Sequence, residues 1–154
     1  KIKIIEKLGL TFSVNNIIGF PDETRELAFD TIELNRRFNS DNTSCSILVP
    51  FHGTELHAYA VEKGYLDPNV ICAISNSGES LLNMPQWDKK DMTRLRDVFA
   101  MYIKFPKDRW PEIKRAETDD KLRYKLREEF VKTYWSDSAA KIEDDIAEAA
   151  KGLF

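Results

Sequence analysis

The chain has 154 residues, 42% hydrophobic and 32% charged, with a net charge of −3 from 23 basic and 26 acidic side chains. That length and balance suit one soluble globular unit. They exclude a general electrostatic attraction to nucleic acid or acidic membranes, and no apolar run approaches the roughly 20 residues of a membrane helix or resembles a signal peptide.

In chain order, residues 1–8 read as the end of a helix stopped at Gly9, although the alternation of Ile2 and Ile4 also suits a strand. Phe12, Val14, Ile17 and Ile18 then form an extended run that halts at Gly19-Phe20-Pro21. Gly19 permits backbone angles and close approaches that a side chain would block, and Pro21 suits a first helical turn. Asp22, Glu23 and Thr24 offer capping oxygens and negative charge where exposed amides carry positive partial charge. Strand, tight loop and helix together bring bare backbone to a strand end, where α/β folds bind ligands.

The helix over 25–38 places Leu27, Thr31, Leu34 and Phe38 along one stripe, with Ala28 and Ile32 beside it. A second unit repeats the scheme. Residues 44–49 read as a strand, Pro50-Phe51-His52-Gly53-Thr54 as a turn, and 55–63 as a helix closed by Gly64. Strand, helix, strand, helix argues for parallel pairing with a right-handed crossover, so both turns line one rim. His52 on that rim is a candidate acid, base or hydrogen-bonding group, whereas His57 reads as a surface or packing residue.

Residues 67–87 are the least regular, with brief strands or turns expected over 69–74 and 80–83 and a role in covering the open sheet edge. From Asp88 onward only helices are expected. Asp88 caps the first, with Met92, Leu95, Phe99 and Tyr102 at helical spacing before Pro106. Trp110 and Pro111 mark a short helix to about Ala116. Asp119 or Asp120 opens a long one carrying Leu122, Leu126, Phe130 and Tyr134. Ser136 or Ser138 caps a third, bearing Ile142, Ile146 and Ala149 and stopped by Gly152. The aromatic stripes read as core and the mixed charge clusters of 107–117 and 121–129 as solvated faces. Cys45 and Cys72 make neither a disulfide framework nor a zinc motif and read as unpaired structural thiols.

The segment NNIIGFPDET, followed about thirty residues later by SILVPFHGTELHAYAVEKGYL, resembles the last two strand-helix units of a radical S-adenosylmethionine (radical SAM) enzyme barrel. The nearest likeness is to the group whose members often carry a cobalamin-binding domain in front. In that family the fifth strand ends in a Gly-x-Ile-x-Gly-x-x-Glu-like pattern whose backbone contacts the adenine of the cofactor. Here Ile17 and Gly19 keep the Ile-x-Gly spacing, and Gly19, Pro21, Glu23 and Thr24 match the Gly-x-Pro-x-Glu-Thr form. Asn15 replaces the first glycine, and Asp22 holds the acidic position with Glu23 behind it. Pro50 to Thr54 matches Pro-aromatic-Pro-Gly-Thr, with His52 in place of the second proline.

The resemblance implies an α/β chain: the C-terminal part of a partial TIM-type (β/α) barrel of about two parallel strand-helix units over 1–66, an irregular edge-covering segment over 67–87, and an α-helical extension over 88–154. It implies that backbone at Asn16, Ile17, Ile18, Gly19, Phe20 and Pro21 holds S-adenosylmethionine, with Pro50 and His52 shaping the adjoining rim. No catalytic residue or metal ligand is expected in the chain itself. The family binds a four-iron four-sulfur (4Fe-4S) cluster through a cysteine triplet that two cysteines cannot build, and the chain opens without an initiating Met. It therefore reads as a C-terminal fragment of a cytoplasmic enzyme that generates a 5′-deoxyadenosyl radical, and methyl transfer enters if an upstream half binds cobalamin. A reading from a different class is a non-catalytic helical association or folding module. Apolar surface left uncovered by the absent strands leads to an expectation of self-association for this piece.

Overall fold

A computed structural model of the chain describes residues 2–40, 42–71 and 78–134. Its elements are α1 (Ile2–Lys7), β1 (Ser13–Ile18), α2 (Arg25–Asn35), β2 (Asn42–Ile47), α3 (Glu55–Glu62), α4 (Lys89–Lys104), a 3-10 turn (Lys107–Arg109), α5 (Trp110–Ala116) and α6 (Asp120–Tyr134). The two strands are parallel, in register from Ser13 opposite Asn42 to Ile18 opposite Ile47. An α/β order with a parallel pair is therefore present. β2 starts and ends two residues earlier than the sequence pattern suggests. The Leu48 N–H makes the closing bond to the Ile18 carbonyl at 2.8 Å, and β1 gives way to Gly19, so Val49 has no rung to join.

One face of the pair is covered. Val14, Asn16 and Ile18 of β1 and Thr43, Cys45 and Ile47 of β2 point towards the helices, while Ser13, Asn15, Ile17, Asn42, Ser44 and Ser46 point away and are exposed. α2 packs on the covered face through Ala28, Ile32 and Asn35. The expected stripe is thereby corrected: Leu27 and Leu34 are 50% and 54% exposed. A buried amide pair fixes this rotation of the helix. Asn35 Nδ2 donates to Asn16 Oδ1 at 2.9 Å and to the Thr31 carbonyl, and Asn16 Nδ2 donates to the Ser44 carbonyl at 3.0 Å. Buried amides left unpaired would be costly, so polar matching outranks the leucines.

α4 is the central helix, packed against β2, α2, α5 and α6. Asp88 caps it, and Met92, Leu95, Val98, Phe99, Met101, Tyr102 and Ile103 are buried along it. Its C-terminal carbonyls are capped from another element: Arg36 Nη1 donates to Tyr102, Ile103 and Phe105 carbonyls, each at 2.7 Å, and its guanidinium lies over Trp110. A cation is favoured at that end of the helix dipole, where carbonyls lack partners. Phe29, Tyr102 and Trp110 close an aromatic triangle with centroids 5.0 to 5.6 Å apart.

The 107–117 charge cluster is largely the solvated face its composition suggests, with Lys107, Asp108, Lys114 and Arg115 exposed, and Glu117 is the exception. Glu117 is 2% exposed and receives hydrogen bonds from Arg25 Nη2 at 2.6 Å, Tyr102 Oη at 2.7 Å and Lys114 Nζ at 2.9 Å. Residues 80–83 form no strand. Leu82 is fully buried, and the Asn83 N–H donates to the Tyr65 carbonyl at 2.7 Å, so the segment plugs the core rather than extending the sheet. Residues 69–71 are turn and irregular chain. The expected continuation over 72–74, Cys72 and the helix after Ser136 or Ser138 lie outside the described residues. Among the described residues no helix is long and apolar enough to cross a membrane.

Replacing Arg36 by Met keeps most of its packing on Trp110 but removes three charge-assisted bonds, and should lower unfolding stability by about 2–4 kcal/mol in urea titration. A loss below about 0.5 kcal/mol would show that water serves those carbonyls equally well.

Candidate functional site

The two turns that the sequence singles out leave the same, C-terminal, end of a parallel pair and therefore share a rim. The first is a hydrogen-bonded turn in which the Glu23 N–H donates to the Phe20 carbonyl at 3.0 Å. Pro21 takes its second position, and Asp22 its third with φ +65°. Proline followed by a positive φ is the type II pattern, and aspartate tolerates that region better than most side chains. Pro21 thus precedes the helix rather than opening its first turn. Of the three expected capping residues only Thr24 caps α2, accepting the Leu27 N–H at 3.4 Å.

The two acids have other uses. Asp22 accepts hydrogen bonds from Tyr59 Oη and, at 2.8 Å, from Tyr65 Oη, and these bonds hold its carboxyl below the usual range. It thereby ties the first turn to α3 and its C-terminal loop. Glu23 Oε2 accepts the Gly19 N–H at 2.5 Å and the Phe20 N–H at 2.9 Å. Burial pushes its carboxyl above the usual range, more than those two bonds pull it down.

The segment leading into α4 and the helical extension brace the same turn. An added Cβ on Gly19, whose φ is +84°, would lie 3.2 Å from Met92 Sδ and 3.5 Å from Ile47. Gln86 Nε2 donates to the Glu23 carbonyl at 3.2 Å, and Arg25 pairs with Asp91 at 2.9 Å and with Glu117. In the second turn Gly53 has φ +80° and faces open space, while Thr54 caps α3 by accepting the His57 N–H at 3.2 Å.

The predicted site residues divide accordingly. Asn16 and Ile18 are buried on the helix-covered side, where Asn16 serves the amide pair with Asn35. Ile17 is 49% exposed on the open face, Phe20 is exposed at the turn, and Gly19 and Pro50 are buried. Pro21 is half-buried. His52 is exposed, its ring 4.3 Å from that of the half-buried His57, whose shielded Nε2 has no partner among the described residues. Sequence reasoning missed Tyr59, Tyr65, Gln86 and Met92. Each approaches the turn from another part of the chain, and although helical spacing marks Met92 as core, no local signal places any of the four at the turn.

The open sheet face continues from this rim, with Ser44 Oγ donating to Asn15 Oδ1 at 2.7 Å between Ile17 and the strand starts. It carries small neutral hydrogen-bonding groups and one isoleucine. A shallow cleft of about 260 Å³ lies elsewhere, lined by Asn83, Met84, Pro85, Trp87, Asp88 and Lys89, and includes none of the predicted residues. No cluster of three or more His, Cys, Asp or Glu able to hold a metal occurs among the described residues. Cys45 is half-buried, its thiol pushed up to about 12 by burial and then by the Glu23 charge.

Comparison with known proteins adds one relative. Over 65 residues, 42% of this chain, the sequence is 38% identical to a Pyrococcus horikoshii protein named an uncharacterized methyltransferase. The match spans 14% of that protein's length. No family model matches the chain, and no solved structure matches it.

Two outcomes follow from this geometry. Gly19→Ala should cost about 1–2 kcal/mol from its left-handed backbone alone, and more if Met92 cannot move; equal stability in thermal melts would show that the turn refolds around the new methyl. Cys45 should resist iodoacetamide at pH 8, where a thiol near 12 leaves only about one thiolate in ten thousand, and should react once urea unfolds the chain. Peptide mapping that finds it alkylated in the folded protein would contradict its burial.

Proposed function

We propose that this chain is part of a radical S-adenosylmethionine enzyme that transfers methyl groups, and that its turn at Gly19 holds the adenosyl end of the cofactor. The observation carrying this reading is the placement of two glycine turns on one end of a parallel pair. The relative named as a methyltransferase is compatible with it. On this reading β1 and β2 belong to a TIM-type barrel whose other strands cover the free edges, and the uncharged face of Asn15, Ile17, Ser44 and Ser46 lines its interior. Parallel sheets are normally covered on both faces, and this is the face left for the barrel interior once α2 covers the other.

The turn offers hydrogen-bonding backbone to an adenosyl group, since consecutive amides at Gly19 and Phe20 converge on one acceptor, here the Glu23 carboxylate, while Gly19 lacks a side chain because Met92 and Ile47 pack against it. When bound, S-adenosylmethionine supplies the activated carbon and its radical chemistry. The chain's own share is to position the adenine through backbone and to hold that backbone still through Asp22, Gln86 and Arg25. The described residues do not fit an iron-sulfur cluster, because they offer no suitable ligand group and Cys45 is a disfavoured thiolate. Cluster and cobalamin sites would belong to other residues of the enzyme. Ile17, Leu27, Leu34 and Phe51 are exposed apolar groups on the proposed barrel surfaces, and this piece alone self-associates on the same reading.

With part of the proposed site present, S-adenosylmethionine should bind the isolated chain with a Kd of about 1 mM or weaker. Amide shifts in NMR titration should centre on residues 17–20 and 50–53. Shifts centred on the cleft at residues 83–89 instead, or micromolar heats in calorimetry, would overturn this assignment.

A further inference from the structure

The second turn carries a shielded atom whose bonding is unmet. His57 Nε2 is closed off from solvent and has no hydrogen-bond partner among the described residues. A polar atom so placed in a native fold points to a water or an ion. Beside it lies a second imidazole: the exposed His52 ring is 4.3 Å away, centroid to centroid, with 37° between the ring planes. One hydroxyl fixes the backbone under both rings. Thr54 Oγ1 donates to the Phe51 carbonyl at 2.7 Å, closing the turn that carries His52, and accepts the His57 N–H at 3.2 Å, capping α3. The two histidines are therefore held together by local structure rather than by a chance approach of distant side chains.

We propose that His52 and His57 together bind a divalent transition-metal ion of the kind that imidazole prefers, such as zinc, copper or nickel. Two imidazole nitrogens about 2.1 Å from one ion, at an angle of about 90–110°, set their ring centroids about 4.6–5.3 Å apart. The observed 4.3 Å falls only a few tenths of an ångström short, and rotation of the exposed His52 side chain closes that gap. The ion then supplies the partner that His57 Nε2 lacks. No third His, Cys, Asp or Glu completes the set among the described residues, so the remaining positions are open to water or to an oxygen or nitrogen donor of a ligand. That is the pattern of a reactive or exchangeable site rather than a closed structural one. Both ligands come from the second turn and α3, so the site stands whether or not the first turn holds an adenosyl group.

The test titrates zinc chloride into the 15N-labelled chain, read by calorimetry and by the imidazole nitrogen resonances, with magnesium chloride as the control that prefers oxygen ligands. One zinc ion per chain should bind and move the ring nitrogens of both His52 and His57, and magnesium should move neither. His52→Ala and His57→Gln should each weaken zinc binding by at least about tenfold, since groups that merely hold a metal ligand in place are already worth that much. His52 is exposed, so its variant keeps the fold; should His57→Gln unfold, the His52→Ala affinity and the His57 nitrogen shifts in wild type decide the matter. Zinc that moves His52 alone, or that binds a folded His57→Gln chain as tightly as wild type, would reduce the pair to one surface histidine and overturn the proposal. Absence of saturable zinc binding up to millimolar concentration would overturn it as well, leaving water as the partner of His57 Nε2.

Discussion

The register of this molecule depends on a carboxylate that cannot reach water. Glu117, at the end of α5, is enclosed, and its charge is met by Arg25 from the start of α2, by the Tyr102 hydroxyl from α4 and by Lys114. Such pairs add little net stability compared with apolar side chains of the same shape, but one left incomplete is expensive. Its effect is therefore specificity. Three helices must meet at one point, and Arg25 also reaches Asp91, which in turn accepts the Trp87 indole N–H at 2.9 Å. Because Arg25 is the residue after Thr24, the constraint that sets the helices against one another also sets the preceding turn against Met92 and Gln86.

That coupling shows how far the sequence can be read. Elements defined by local signals were legible: Thr24, Thr54 and Asp88 are capping residues, Gly64 has φ +73° after α3, and the buried positions of α4 recur at helical spacing. The parallel pair and its shared rim followed from strand-helix alternation. Features decided by partners from distant elements were not legible. The stripe of α2 was misjudged because leucine looks more buried than asparagine, and only the opposing Asn16 shows why Asn35 turns inward. Glu117 was taken for a solvated residue because nothing in its neighbourhood announces Arg25, which lies 92 positions away. The same holds for the site: Gly19 and Pro21 are visible in the motif, whereas Tyr59, Tyr65 and Met92 become relevant only after folding.

The sheet itself is an unfinished surface. Each strand has one edge facing its neighbour, and the two-stranded sheet of the described residues pairs along neither outer edge. Its covered face is built as a core, with Ile18, Ile47, Ala28 and Ile32 buried and the one polar intrusion fully paired. Its open face carries serines and asparagines around Ile17. A two-stranded parallel ladder has little independent stability, and α4 supports it by packing against β2. α4 is thus both the support of the sheet and the wall behind Gly19.

The adjacent acids of the first turn show how small differences in placement assign opposite duties. Asp22 is exposed and receives two phenolic hydrogen bonds, so its charged form is favoured and it works as a fastener between the turn and the α3 loop. Glu23 reaches inward to two amides, so its charged form is opposed by burial even while its bonds hold it. Without the Asp22 bonds the first turn would lose its tie to Tyr59 and Tyr65. The cap at Thr24, the backbone turn at Phe20 and the tyrosine ties at Asp22 do not pass through the Glu23 carboxylate, so the two acids fasten the outside and the inside of one turn separately. A turn tied on both sides holds its backbone in one geometry, which is the preorganisation that a binding contact depends on.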